Sequence, residues 1–183
     1  GPASGQSQVR GDVGAGGVQV PHVTCAQDVR NILEAARFSP KGARGVCRYV
    51  RAAGYASIEK SEYFRRANEA VLVVQLEGKE ALDNLDEILA VEGPDVVFVG
   101  PYDLSQSLGV PGQVDHPLVI KTTRKIAAAC RARGMAVGNF TETPEQTRFW
   151  VKKGLKYMSF SVDVGILYEA GRVLVDRLSG TRR

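Results

Sequence analysis

Two carboxylates stand at the ends of apolar runs in this chain. Val71-Leu72-Val73-Val74-Gln75-Leu76 runs into Glu77, and Val96-Val97-Phe98-Val99-Gly100-Pro101-Tyr102 runs into Asp103. Runs rich in β-branched residues with almost no polar side chain read as strands buried on both faces, as in a parallel sheet covered by helices. Ligands of such sheets sit outside the carboxyl ends of the strands. Glu77 and Asp103 would therefore project from neighbouring strand ends toward one spot, where two carboxylates suit a hard divalent cation. Each also has a simpler reading: Glu77 as a cap for the helix that follows it, Asp103 as a turn or N-cap residue in Pro-x-Asp.

Other groups surround that pair in the sequence. Gln75 lies two residues before Glu77 and so points to the same side of the strand, either toward a ligand oxygen or toward a buried, satisfied partner. The backbone N–H groups of Gly100 and Tyr102 lie close to Asp103 and suit a carboxylate or phosphate, whereas Pro101 donates none. His22 follows a strand and a proline, at the pocket mouth or in a structural role, and His116 before Pro117 reads as a turn residue. Phe149 and Trp150 have apolar helical spacing and read as core or interface. No Ser-His-Asp or Cys-His arrangement can be assembled, and none of the apolar runs carries an internal lysine for a Schiff base, so covalent catalysis is not expected.

The elements that must position these residues alternate strand and helix after residue 17. Val18–Val23 reads as a strand, and Thr24-Cys25-Ala26-Gln27 as a capping box opening a helix through Ile32, Leu33, Ala36 and Phe38. Ala43–Ile58 is weakly patterned and long enough to be a lid or subunit contact. A helix over 62–70 precedes the Glu77 strand, and Lys79–Leu89 is a helix with Leu82, Leu85, Ile88 and Leu89 on one face. Asp95–Val99 is the Asp103 strand, and 104–117 reads as a loop. A helix over Leu118–Arg133 stops at Gly134, and the strand Met135–Phe140 follows. Pro144–Lys153 is a helix closed by Gly154, followed by a strand over Tyr157–Val162 and a helix over 164–178. Five β/α units in series suit an open doubly wound sheet or a (β/α)8 barrel. No Gly-rich nucleotide fingerprint follows a strand, which lowers the first option, while five units are too few to close the second.

The 183 residues, 44% hydrophobic and 24% charged, suit one soluble domain with a full core. No run approaches the roughly 20 apolar residues that span a bilayer, and the first 13 residues read as a flexible lead or a remnant of further units. Three widely spaced cysteines, Cys25, Cys47 and Cys130, read as reduced core or near-core thiols in an intracellular, cytoplasmic protein. The net charge of +4 comes from scattered basic residues with clusters only over 44–51 and at Arg182-Arg183. With no nucleic-acid motif beside them, they read as a solvated basic face, and an anionic small substrate explains the positive bias equally well; neither a nucleic acid nor a membrane is an expected partner.

Four segments together resemble one known family: Gly14-Ala15-Gly16-Gly17-Val18-Gln19-Val20-Pro21-His22-Val23, Phe38-Ser39-Pro40-Lys41-Gly42-Ala43-Arg44-Gly45, Val74-Gln75-Leu76-Glu77 and Val99-Gly100-Pro101-Tyr102-Asp103-Leu104-Ser105. They are similar to the HpcH/HpaI aldolases, class II, metal-dependent, pyruvate-using TIM barrels of the phosphoenolpyruvate/pyruvate superfamily, with macrophomate synthase as a relative. The resemblance runs from about Gly14 to the C-terminus. It implies an incomplete α/β barrel of the TIM (β/α)8 type over 14–183, made of about the last five units. It implies Glu77 and Asp103 as ligands of Mg2+, Mn2+ or Co2+. It also implies Gln75, the Gly100-Pro101-Tyr102 backbone and Phe140 as substrate contacts. The implied reaction makes or breaks a C–C bond of a 2-oxo acid such as pyruvate or oxaloacetate, with an aldehyde partner, through an enolate. Oxaloacetate decarboxylation is an expected side activity. The implied assembly is a trimer or hexamer with exchanged C-terminal helices. The family's acid–base His and pyruvate-gripping Arg come from earlier units. Here Arg10 alone resembles the latter, so a catalytically impaired metal and oxo-acid binding or assembly protein is the alternative.

Overall fold

A computed structural model of the chain describes residues 11–180. Five parallel strands form one curled sheet in unbroken sequential order: β1 (Gly17–Val20), β2 (Val71–Leu76), β3 (Val96–Val99), β4 (Ala136–Thr141) and β5 (Tyr157–Phe160). Between and after them come α1 (Ala26–Ala36), a 3-10 turn (Arg51–Ala56), α2 (Lys60–Asn68), α3 (Lys79–Asp83), α4 (Leu85–Leu89), α5 (Pro101–Ser107), α6 (Pro117–Ala132), α7 (Pro144–Lys152) and α8 (Asp163–Leu178). A doubly wound sheet reverses its strand order at a switch point; this one never does. The architecture is an incomplete TIM-type α/β fold.

The period-2 alternation of the strands sorts side chains onto two faces. Leu72, Val74 and Leu76 of β2 join Val97, Val99 and Val137 on the convex face, where α1 brings Val29 and Ile32, α4 brings Leu85 and Ile88, and α6 brings Ile126 and Cys130. The alternate residues Val73, Val96 and Phe98 line the concave face in a small separate cluster. Phe98 stands opposite Gly138 and meets the Tyr157 ring edge-on, centroids 5.9 Å apart. A Cβ at Gly138 would lie 3.0 Å from the Phe98 ring and 2.5 Å from the Tyr157 carbonyl oxygen, so glycine makes room for the aromatic pair.

Several boundaries differ from the sequence expectation for local reasons. The cap of α1 is Cys25 rather than Thr24. The residue that reaches back is Asp28, which accepts from the Thr24 N–H (2.9 Å), the Thr24 hydroxyl (2.9 Å) and the Cys25 N–H (3.2 Å). Burial pushes the Asp28 carboxyl up, but these hydrogen bonds outweigh it and hold it below the usual range. Gln27 instead bonds Asn31 at the surface. The helix stops at Ala36 because Asn68 takes the Phe38 N–H at 2.7 Å. The Phe38 ring then packs against Tyr63 and Phe64. That aromatic group and Ala53 of the 3-10 turn form a second core, which holds the irregular stretch over 43–58 in place.

The expected helix over 79–89 is two short ones, α3 and α4, meeting at Asn84, whose amide donates to the Thr24 carbonyl at 2.9 Å. The expected loop over 104–117 begins with helix α5, opened by Pro101 at its first position. Of the three free cysteines, Cys130 is buried and Cys25 half-buried, but Cys47 is exposed, which corrects its assignment to the core. No helix among the described residues is long and apolar enough to cross a membrane. None of the five strands carries a lysine.

Candidate active site at the strand C-termini

Glu77 follows the last residue of β2, and the register of Leu76 with Val99 brings it beside Gly100 at the end of β3. It is buried, 5% exposed, and no lysine or arginine pairs with it among the described residues. Two neighbouring elements hold it instead. From the loop after β1, His22 approaches Glu77 Oε1 twice, its backbone N–H donating at 2.9 Å and its Nδ1 lying at 2.9 Å. From its own strand, Gln75 Nε2 donates to Glu77 Oε2. Gln19 of β1 in turn donates from Nε2 to Gln75 Oε1 at 2.6 Å. Gln19, Gln75, Glu77 and His22 thus form one polar chain across two strand ends.

Two backbone features make that chain possible. A Cβ at Gly100 would lie 2.5 Å from Glu77 Oε2 and 2.9 Å from Gln75 Nε2, so the carboxylate occupies space that any other residue would fill. His22 has φ +58°, a left-handed backbone that costs free energy in a residue with a side chain. Both of its bonds to Glu77 depend on that conformation.

Asp103 follows the end of β3 within the first turn of a helix. It is the third residue of α5, exposed, with Gly100 as N-cap. An acid in the first turn is favoured by the helix dipole, but the N-cap is Gly100, which corrects the simpler reading of Asp103 as an N-cap. Pro101 is buried at the first helical position. The Gly100 N–H is directed back to the Leu76 carbonyl, at 3.4 Å, which corrects its expected availability to a ligand. Tyr102 turns to the other wall, where its hydroxyl donates to Glu142 Oε2 at 2.6 Å and its ring lies 6.4 Å from that of half-buried Phe140. The acceptor carboxylate and partial burial push the Tyr102 phenol up to about 12. His116 caps α6, its Nδ1 accepting from the Leu118 N–H. Arg10 lies outside the described residues.

The structure therefore unites Gln75, Glu77 and Gly100, and separately Tyr102 and Phe140. Two participants escaped the sequence reading, Gln19 and Glu142. Both carry a signal of the kind that pointed to Gln75 and Glu77: a polar residue alternating with valines in β1, and a carboxylate directly after β4. The donor chemistry fits a divalent cation. Glu77 and Asp103 offer carboxylate oxygens, and small hard cations complete such sets with substrate and water oxygens. Among the described residues, no three His, Cys, Asp or Glu side chains gather into a metal-holding group.

Comparison with known proteins shows which family the chain resembles in sequence and fold. The 2-keto-3-deoxy-L-rhamnonate aldolase of Escherichia coli (strain K12) is 40% identical over 161 residues, which cover 87% of this chain and 60% of that enzyme. The chain thus spans about three-fifths of the length of the curated relatives it matches. The crystal structure of an HpcH/HpaI aldolase from Desulfitobacterium hafniense DCB-2 superposes with a TM-score of 0.88 at 30% identity, over 96% of this chain and 68% of that one. Macrophomate synthase, at 20% identity and a TM-score of 0.75 over 92% of this chain and 60% of that one, shares the fold. The family model for HpcH/HpaI aldolase/citrate lyase matches residues 4–170, and the chain belongs to that family.

Proposed function

We propose that this chain carries the metal-holding part of an aldolase or lyase site that makes or breaks a C–C bond of a 2-oxo acid such as pyruvate or oxaloacetate, with an aldehyde as the second partner. The observation that carries the reading is the buried Glu77 carboxylate, held by Gln75 and His22 against Gly100 and paired with no basic side chain among the described residues. The Escherichia coli relative, whose name describes cleavage of a 2-oxo sugar acid, supports the substrate class.

Glu77 and Asp103 would hold the divalent cation, Mg2+, Mn2+ or Co2+. When bound, it supplies Lewis acidity that stabilises the negative charge left on the oxo acid as the C–C bond breaks. Gln75 orients Glu77 with one amide N–H and keeps the second for a substrate oxygen. The Tyr102 N–H, at the second position of α5 where a helix offers no intrahelical acceptor, is the proposed donor to the substrate carboxylate. Phe140, whose ring lies beside that of Tyr102, is the proposed apolar contact of the substrate. Arg10 is the proposed grip on the pyruvate oxygens. Association into a homo-oligomer, a trimer or hexamer, is supported by α8: none of its residues is buried, and Leu167, Leu174 and Leu178 are 74%, 57% and 88% exposed.

Oxaloacetate decarboxylation in the presence of Mg2+, Mn2+ or Co2+, followed in the parent and in Glu77→Gln, tests the reading. We expect the variant to lose on the order of a thousandfold in turnover with its fold retained. Equal turnover in the two proteins would remove Glu77 from the chemistry. Metal-dependent pyruvate binding by calorimetry without turnover in the parent would favour the alternative, a binding or assembly protein built on the same site.

A further inference from the structure

The basic residues that look scattered in the sequence come together on the convex side of the fold, far in kind from the carboxylate site. A groove of about 700 Å³ runs between α6 and the end of α7, and its lining includes Lys121, Arg124, Lys125, Arg131, Lys152 and Lys153. Helical spacing aligns the first four on one face of α6. The floor is aliphatic, with Ile120, Ala127 and Leu155 beneath the charges. Arg131 donates to the Lys153 carbonyl at 2.7 Å, tying the two helices across the groove. No acidic residue lines it.

Three observations describe the charge of this groove. Elsewhere on the surface, Arg30, Lys41, Arg51, Lys60, Lys79, Lys156 and Arg177 form no ion pair among the described residues, while Arg65, Arg66, Arg133, Arg148 and Arg172 each meet a carboxylate. Among the described residues none of the six groove cations does, and the remaining residues of the chain contain no Asp or Glu. Second, six of the 24 basic residues line this one groove, so the other 18 are outnumbered by the 20 acids. Third, Lys121 with Arg124 and Lys121 with Lys125 are like charges at helix-neighbour spacing, which repel and weaken α6. A local arrangement that costs helix stability, with no counterion from the protein, is what an anion site requires before its ligand arrives.

We propose that the α6–α7 groove binds a small anion bearing several adjacent phosphate charges, an oligophosphate such as the tail of a nucleoside triphosphate. The concavity has the size of a small-molecule site. Its lining holds no aromatic ring on which the bases of a single-stranded nucleic acid would stack. The aliphatic floor gives the uncharged part of an amphipathic ligand something to cover.

Calorimetric titration with inorganic tripolyphosphate and with ATP, at about 50 and about 200 mM salt, tests this. We expect one saturable site per chain that weakens as salt rises, with the two titrants reporting whether the phosphates alone or the nucleoside as well are recognised. The triple variant Lys121→Gln, Arg124→Gln, Lys125→Gln should bind roughly tenfold more weakly or worse. Ala128→Glu, which puts a carboxylate into the groove and removes no cation, should lose binding too. Neutralising Arg65 and Arg66, which are paired on α2, should change nothing. Absence of saturable binding in the parent would overturn the proposal, as would unchanged binding in both groove variants. Tighter retention of single-stranded RNA or of anionic vesicles than of tripolyphosphate would also overturn it, in favour of a macromolecular partner.

Discussion

The two faces of the curled sheet are built on opposite terms. The convex face buries aliphatic side chains of all its layers against helices: Val29, Leu76, Val97, Val99 and Ile126 are all fully enclosed. The concave face has one small apolar cluster around Phe98, and above it the polar chain of Gln19, Gln75, Glu77 and His22. Apolar burial is non-directional and scales with area, so the convex face supplies stability. A buried carboxylate is costly unless each oxygen meets a donor, so the concave face supplies geometry at the expense of stability. Chemistry and cohesion are therefore separable in this chain, and each can be broken without the other.

The largest stability effect should come from the convex side. Ile126→Ala, at a site with no exposure, should cost about 2–5 kcal/mol in urea unfolding while the folded fraction keeps its turnover. Loss of turnover in a fully folded sample would mean the faces are coupled. Gly100→Ala reverses the pattern. The added methyl would meet the Glu77 carboxylate, so overpacking of about 1–3 kcal/mol should accompany a drop in turnover of tenfold or more, as steady-state kinetics and thermal melting can separate. A variant with normal kinetics would show that the cradle does not position Glu77.

Smaller effects test the elements that carry the two faces. Asp28→Asn at the start of α1 should lower stability by about 1 kcal/mol at neutral pH. The folded Asp28 carboxyl is depressed, so its contribution is present above the unfolded value near ~3.9 and is lost as pH falls through the lower folded value. Unfolding of variant and parent should therefore differ at pH 7 and converge in strong acid. Least of all, Glu142→Gln should bring Tyr102 ionisation down from about 12 toward the ordinary tyrosine value near ~10. Phenolate absorbance reads this directly. The stability held by that bond is present below the ordinary value and fades as pH rises through the folded one.

Most of the architecture was legible because each element satisfied a local rule. Apolar, β-branched runs marked the strands, Gly134 and Gly154 closed helices with positive φ, and Pro144 opened one. Two of the misreadings share a cause, namely a partner distant in sequence. Asn84 splits a helix to reach Thr24, and Asn68 draws Phe38 out of α1. Asp103 read as a strand-end residue because an apolar run gives no sign of where a strand stops once Pro101 can begin a helix at once.

What the sequence determined by itself was a parallel α/β fold and a carboxylate, Glu77, delivered by an apolar strand to its C-terminal end. Strand periodicity and burial dictate both from near neighbours alone. Tertiary structure decided the rest. It chose His22 and Gln19 as the companions of Glu77, although more than fifty residues separate each from the group it meets. It also gathered cations from α6 and α7 into one groove. Parallel strands need long crossovers, so residues adjacent at their ends are remote along the chain. Only the packed sheet and its helices bring them together.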